Sequence, residues 1–472
     1  MSAREADVVV VGGGLAGLAA ANRAAELGAR VVLLEKGAGD YPCNSRIATG
    51  VLNLAHTDPM SDPPVLRRSI ADDTEGYADP ALADALAATA GRALQWLRAE
   101  RVQVIKIPMK GRWVLAPPMS AKPGHPWKGR GADLALDTLL ANLQARGATV
   151  LFGVRARRLV LRDKKCVGLE AQSAAGVLPI HARHVVLADG GFQGNPSLVR
   201  RFISPRPECL VQRSAGTGGG DALLMAEEAG AQLTDASRFY GHLLVQDTLT
   251  NDRLWPYPTI DSLASGAIVV DRGGRRFIDE GLGGIPMANA IARREDPLGA
   301  TAIFDQAIWD GAGREEFIAP NPHLEALGGT LVRADSIAAL ADRLGLPEGA
   351  LSETVRSYNA AVEHQALASL VPERSPGRAF GELRSSPKRL RVLPVRTAPF
   401  YAIRLCAGIS YTMGGIAIDA GARVLGTDGL AIPGLYAAGS CTGGLEGGPI
   451  AGYVGGLLKA LVLGLRAAET TG

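Results

Sequence analysis

The stretch Asp7-Val8-Val9-Val10-Val11-Gly12-Gly13-Gly14-Leu15-Ala16-Gly17 decides the fold class. A continuous run of β-branched residues marks a strand buried on both faces of a parallel sheet. The alanine-rich segment from Leu18 to Leu27 reads as a helix that stops at Gly28. Val31 to Glu35 is a second buried strand, so the whole segment is one βαβ unit. Gly12-x-Gly14-x-x-Gly17 fills the strand-to-helix turn, and an acid, Glu35, ends the next strand. That is the full setting of a dinucleotide fingerprint. Gly12 permits the tight turn, Gly14 lets backbone approach a pyrophosphate, and Gly17 lets helix pack on sheet. The helix start offers N–H groups and the positive end of its dipole to phosphate. Glu35 is expected to accept hydrogen bonds from ribose hydroxyls.

Outward from this unit, glycine stays abundant. The chain has 59 Gly in 472 residues, against a usual share of about 7%. Clusters recur at Gly190-Gly191, Gly218 to Gly220, Gly439 and Gly443 to Gly448. A long ligand touched by backbone from several loops explains that spread. It favours FAD over NAD, as does a fingerprint placed at the N-terminus. No second fingerprint follows a strand, so no separate nicotinamide domain is expected. Apolar residues are 47% and charged residues 21%, which excludes disorder and a disulfide scaffold. A net charge of +3 leaves no electrostatic footprint for nucleic acid. The five Cys stand far apart without metal-ligand spacing, so no metal and a reducing cytoplasm are expected. The apolar run Pro449 to Leu465 is too short for a membrane span.

Further along, Pro80 to Glu100 and Leu134 to Arg146 read as helices, and Thr149 to Phe152 and Ala156 to Arg162 as strands. His184 to Ala188 is a short strand that runs into Asp189-Gly190-Gly191. Gly266 to Asp271 and Arg275 to Glu280 read as a hairpin. Helices follow near 335–345 and 348–366, and a polar, Pro-rich crossing spans Pro372 to Pro394. Ala402 to Leu405, Gly415 to Asp419 and Leu435 to Ala438 read as strands before a final helix.

These motifs resemble those of the fumarate reductase and succinate dehydrogenase flavoproteins. The soluble branch with tricarballylate and 3-ketosteroid dehydrogenases is the most similar. The segments that carry the resemblance are Asp7 to Lys36, Asn44-Ser45-x-x-Ala48-x-Gly50, Val185 to Gly191 and Gly220-Asp221-Ala222. Gly274 to Glu280, Ile303-Phe304-Asp305, Tyr411 to Gly415 and Gly434 to Gly439 complete them. The resemblance implies an α/β fold. A discontinuous Rossmann-like FAD-binding domain, residues 1–238 and 396–472, would carry an inserted α+β capping domain at 239–395. The cofactor residues it implies are Gly12, Gly14, Ala16, Gly17, Glu35, Lys36, Asn44, Ser45 and Gly50, with Asp189, Gly190, Asp221, Gly439, Ser440 and Gly447. Some members link the flavin covalently to a histidine at the Asn44 position. Asn44 forms no such bond, so FAD is expected to be non-covalent.

The substrate side departs from the family pattern. A dicarboxylate calls for bidentate arginines. The family's proton-donating Arg falls at Gly284, its His at Tyr411, its carboxylate-binding Arg at about Ile450, and a further clamp at about Leu263. A substrate less charged than a dicarboxylate is therefore expected. The implied chemistry is hydride transfer at flavin N5, saturating or desaturating a C–C bond beside a carbonyl or carboxylate. Tyr411, Glu446 and His242 are the catalytic candidates. His125 and Arg130 are weaker ones. An amine or amino-acid oxidase, and a flavin-holding electron-transfer subunit with an external partner, are the alternatives.

Overall fold

The computed structural model describes residues 4–107, 112–119, 127–378, 381–386 and 388–472. Strand Arg4–Val11, helix Leu15–Glu26 and strand Val31–Glu35 form the βαβ unit, with Val8 to Val11 paired in parallel to Val31 to Leu34. Gly176–Leu187 and then Ala431–Ala437 extend the parallel sheet on one side, and Thr149–Phe152 extends it on the other. Val8 to Val11 and Val31 to Leu34 are buried throughout, which is why they are apolar without alternation. An antiparallel meander, Arg155–Arg162 and Lys165–Ser173, is attached to the first half of Gly176–Leu187. The first helix packs on the last, Gly456–Thr471. A Cβ on Gly464 would lie 2.3 Å from the Ala16 carbonyl oxygen, so small residues set that spacing.

A second sheet is built on one long strand, Phe400–Thr412. It pairs antiparallel with Phe239–Val245, Thr301–Asp305 and Val332–Ala334, and in parallel with Val211–Gln212. This sheet therefore joins strands from both sides of the 395/396 position.

Two local expectations need correction. Residues 266–280 turn back through a single antiparallel bridge, Val270 to Arg276, and not through a strand ladder. Ile268–Val270 pairs instead with Thr301–Asp305, and Arg276 turns inward onto Glu280. The Arg276 Nε–Oε1 distance is 3.0 Å and Nη2–Oε2 is 2.6 Å, and both side chains are buried. Glu280 also accepts from the Val269 N–H at 3.0 Å, so this charged stretch is an internal brace. Gly415 to Asp419 makes only single bridges at Ile416 and Ile418.

Candidate active site

A cleft of about 830 Å³ lies just past the carboxyl ends of four parallel strands, at Val11, Leu34 to Lys36, Ala188 to Gly191 and Gly439-Ser440. In parallel α/β sheets that is where ligands bind. Gly12 has φ +104°, and a Cβ there would lie 2.5 Å from the Ala188 carbonyl oxygen. Only glycine fits that turn. The Glu35 carboxylate accepts from the N–H groups of Gly13 (2.8 Å) and Gly37 (2.7 Å), and each oxygen keeps a lone pair for a ligand hydroxyl. Ser45 Oγ accepts from the Leu15 N–H at 3.1 Å and caps a helix whose own N-cap is Gly14. Asp221 is held by Arg155 (2.5 and 2.9 Å) and Lys36 (3.3 Å). Burial opposes its ionisation, but these two cations outweigh burial and hold its carboxyl below the usual range.

Two acceptors in this cleft are left over. Asp189 Oδ2 accepts from the Ala222 N–H at 3.0 Å. Its Oδ1 is buried and has no partner, and the same is true of Gln193 Oε1. Burial pushes the Asp189 carboxyl up to about 7. Such atoms call for the hydroxyl or N–H donors of a bound molecule.

Of the residues expected at a cofactor, Gly12, Gly14, Ala16, Glu35, Lys36, Asn44, Ser45, Asp189, Gly190, Asp221, Gly439 and Ser440 line the cleft. Gly17, Gly50 and Gly447 do not. A Cβ on Gly17 would lie 1.9 Å from the Gly12 carbonyl oxygen, so Gly17 serves the helix–sheet contact. Gly50 accepts from the Leu115 N–H, and Gly447 donates to the Gly452 carbonyl. Asn44 is a strut. Its Nδ2 donates to the Ser410 carbonyl at 2.7 Å, and its Oδ1 accepts from the Ala215 N–H at 2.9 Å. Arg155 and Gln193 were missed, though Gln193 adjoins a glycine cluster that marks the cleft.

The long strand ends between this cleft and a second one. Ser410 meets Asn44, and Thr412 Oγ1 accepts from the Phe192 N–H at 3.3 Å, both on the first cleft's side. Tyr411, between them, stacks on Tyr240 with ring centroids 5.1 Å apart. Tyr240 lines the second cleft, of about 530 Å³, with Asp261, Gly284, Ile450, Tyr453 and His56.

His242 lies behind Tyr240. Its Nδ1 is 2.5 Å from Asp261 Oδ2, and its Nε2 is 3.2 Å from the Tyr240 hydroxyl. Asp261 Oδ1 accepts from the Leu243 N–H at 2.7 Å. Burial pulls the His242 pKa below its ordinary value, although Asp261 pulls the other way. A neutral imidazole between a carboxylate and a phenol donates from Nδ1 to the carboxylate and accepts at Nε2 from the phenol.

Tyr411 and Glu446 form a separate buried group. The Tyr411 hydroxyl donates to Glu446 Oε1 at 3.0 Å. The same oxygen accepts from the N–H groups of Val454 (2.9 Å) and Gly455 (3.0 Å). Lys459 pairs with Glu446 Oε2. Burial opposes ionisation of Glu446, yet Lys459 and the backbone donors hold its carboxyl below the usual range. Neither Tyr411 nor Glu446 is among the residues lining either cleft. Arg130 precedes helix Gly131–Ala145 and lines neither, and His125 lies outside the described residues.

The family model described as "FAD binding domain" matches residues 7–449. The chain belongs to that family. NADH:acrylate oxidoreductase of Vibrio harveyi is 27% identical over 94% of this chain and 48% of its own length. A fumarate reductase (cytochrome) of Shewanella frigidimarina is 29% identical over 93% of this chain and 72% of its own. The chain thus spans about half the length of the acrylate relative. Among solved structures, the 3-ketosteroid-Δ4-(5α)-dehydrogenase of Rhodococcus jostii RHA1 superposes with a TM-score of 0.73. That superposition covers 99% of this chain and 97% of the other at 22% identity, which establishes a common fold.

The chain is thus a flavoprotein of the fumarate reductase and succinate dehydrogenase superfamily, and its cofactor is FAD. The glycine cradle, the Glu35 carboxylate and the unpartnered Asp189 and Gln193 oxygens fit that molecule. A Cβ on Gly284 would lie 2.0 Å from Asp261 Cγ. The Asp261 side chain fills the space beside Gly284. No described helix is long and apolar enough to cross a membrane.

Proposed function

We propose that this flavoprotein saturates or desaturates a C–C bond next to a carbonyl or carboxylate, in a substrate other than fumarate or succinate. The observation that carries this reading is the chain Asp261–His242–Tyr240, whose Tyr240 and Asp261 line the second cleft. FAD, when bound, supplies the hydride donor or acceptor at N5. The protein must then move one proton at the neighbouring carbon. In desaturation, the Tyr240 oxygen takes that proton as its own passes to His242 Nε2, and Asp261 stabilises the imidazolium. In saturation the same steps run backwards. Tyr411, tied to Glu446, positions this group by stacking under Tyr240. Glu446 in turn fixes the backbone at Val454 and Gly455, next to Tyr453.

Dicarboxylates fit poorly. Leu263 is fully buried at a clamp position. Arg378, the one arginine among the residues that line the second cleft, is committed to Asp73. The relative's name joins acrylate to NADH, and an external electron donor is proposed for this flavin as well. Five free cysteines suit a reducing cytoplasm.

Anaerobic mixing tests the reading. Protein with photoreduced flavin is mixed with cyclohex-2-enone, acrylate or fumarate, and flavin absorbance is followed. An enone or enoate is expected to reoxidise the flavin at ~1–10³ s⁻¹, the usual range of turnover, while fumarate does not. Reoxidation by fumarate alone, or by none of the three, contradicts the proposal.

A further inference from the structure

Three arginines gather at the Asp73–Gly381 side of the second cleft, and two of them are under-used. Arg378 is satisfied. It pairs with Asp73, and its Nε (2.9 Å) and Nη2 (2.8 Å) donate to the Glu382 carbonyl. Arg384 makes one ion pair, Nη1 to Glu75 Oε1 at 3.2 Å. Its Nε and Nη2 are buried and have no acceptor. Arg112 donates from Nη2 to the Gly381 carbonyl at 3.3 Å, and its Nε is likewise buried without an acceptor. Both side chains adjoin the cleft lining. Arg384 interacts electrostatically with Asp73 and Arg378, Arg112 interacts with Tyr453, and Gly381 itself lines the cleft.

Arginine carries five N–H donors and no acceptor. A buried donor without a partner is unfavourable and rare in native proteins. Here such donors lie on two guanidinium groups, one near Asp73 and Arg378 and the other on the Gly381 carbonyl. The acids nearby do not satisfy them. Asp73 is already shared among Arg378, the Tyr453 N–H at 3.3 Å and His56 at 3.8 Å, and burial pushes its carboxyl up. Glu75 is half exposed and pairs with Arg384 Nη1.

We propose that Arg384 and Arg112 hold a single carboxylate of the substrate at this side of the second cleft. The assignment rests on the reading of that cleft as the substrate site. A guanidinium presents parallel N–H bonds that match the two oxygens of a carboxylate. The unpaired donors are an Nε and an Nη2 on Arg384 and an Nε on Arg112, which suits a small planar anion. The substrate class is then an enone or enoate with one carboxylate. A second carboxylate would meet Asp261 and the tyrosines instead.

The test reads binding without turnover. Cyclohexanecarboxylate, cyclohexanecarboxamide and inorganic phosphate are titrated by calorimetry into the FAD-loaded wild type, Arg384→Met, Arg112→Met and Arg384→Lys. The carboxylate is expected to bind at least tenfold, ~1.4 kcal/mol, tighter than the amide in the wild type. Each Met variant loses about tenfold for the carboxylate and nothing for the amide, since methionine keeps the apolar stem. Arg384→Lys, which keeps the charge without the fork, falls between. Equal binding of acid and amide, no binding of the acid, or an acid preference that survives both Met variants would overturn the assignment. Phosphate binding more tightly than the carboxylate would overturn it as well. Flavin reoxidation is not read, so a failure of the enone reaction sinks the earlier proposal alone.

Discussion

The strand end Ser410-Tyr411-Thr412 contacts residues beside both the cleft at Gly12 and the cleft at Tyr240, but the two are assembled in opposite ways. The first is mostly backbone. Its walls are strand ends, a helix start and glycine turns. The second is mostly side chains. Tyr240, Asp261, Tyr453 and His56 reach it from separate parts of the chain, with His242 behind Tyr240. Backbone that must lie against a ligand demands glycine, and glycine at fixed spacing is visible as a motif. A side-chain site has no such demand. Its members fit one another, as Gly284 and Asp261 illustrate. One has no side chain, and the other fills the space.

This contrast predicts unequal sensitivities. The largest effect is expected at Gly12→Ala. With φ +104° and a Cβ 2.5 Å from the Ala188 carbonyl oxygen, the turn cannot form around alanine. Purified protein should have a flavin-to-protein absorbance ratio near zero; normal FAD content would break the account of the first cleft. Next comes Lys459→Met, which strands the buried Glu446 carboxylate under the tyrosines. Removing one partner of a buried pair costs about 3–5 kcal/mol, to be read from the denaturant midpoint. A change within ~0.5 kcal/mol, as at ordinary surface sites, would show that Glu446 does not depend on the pair. The smallest effect concerns Asp189 in flavin-stripped protein. Its folded pKa of about 7 lies above the ordinary carboxylate value of 3.8. The stability it lends is therefore full below about pH 4 and is lost as pH rises through about 7. Asp189→Asn should flatten that part of the pH–Tm curve. Identical curves for the two proteins would contradict the burial of this carboxyl.

Sequence reading reached the two regions unequally, for the same reason. The βαβ unit, Gly12, Gly14 and Glu35 were legible because strand, turn and acid must follow in order within 30 residues. The role of Gly17 was legible too, as a packing residue. His242 was visible as a lone histidine, but its partners were not. Asp261 reaches it only through the turn into helix Asp261–Gly266. Tyr240, two residues earlier on the same strand, was the one clue in reach. Tyr411 was expected to face the substrate. Its hydroxyl instead finds Glu446, a contact 35 residues away that no local pattern encodes. Arg275 to Glu280 had the composition of a strand. The ion pair of Arg276 with Glu280 is formed inside the protein, where sequence patterns assume solvent.

The most direct test compares two phenol deletions. Tyr240→Phe and Tyr411→Phe each remove one oxygen and almost no volume. With FAD bound and a reactive enone or enoate in hand, flavin reoxidation is timed in both by stopped flow. Tyr240→Phe should slow the reaction by roughly 10²–10⁴, the usual worth of a positioned acid–base group, with FAD content unchanged. Tyr411→Phe should stay within about tenfold of wild type, since it loses one supporting hydrogen bond. The reverse order, with Tyr411→Phe collapsed and Tyr240→Phe near wild type, would contradict the assignment of the proton to the Asp261–His242–Tyr240 chain.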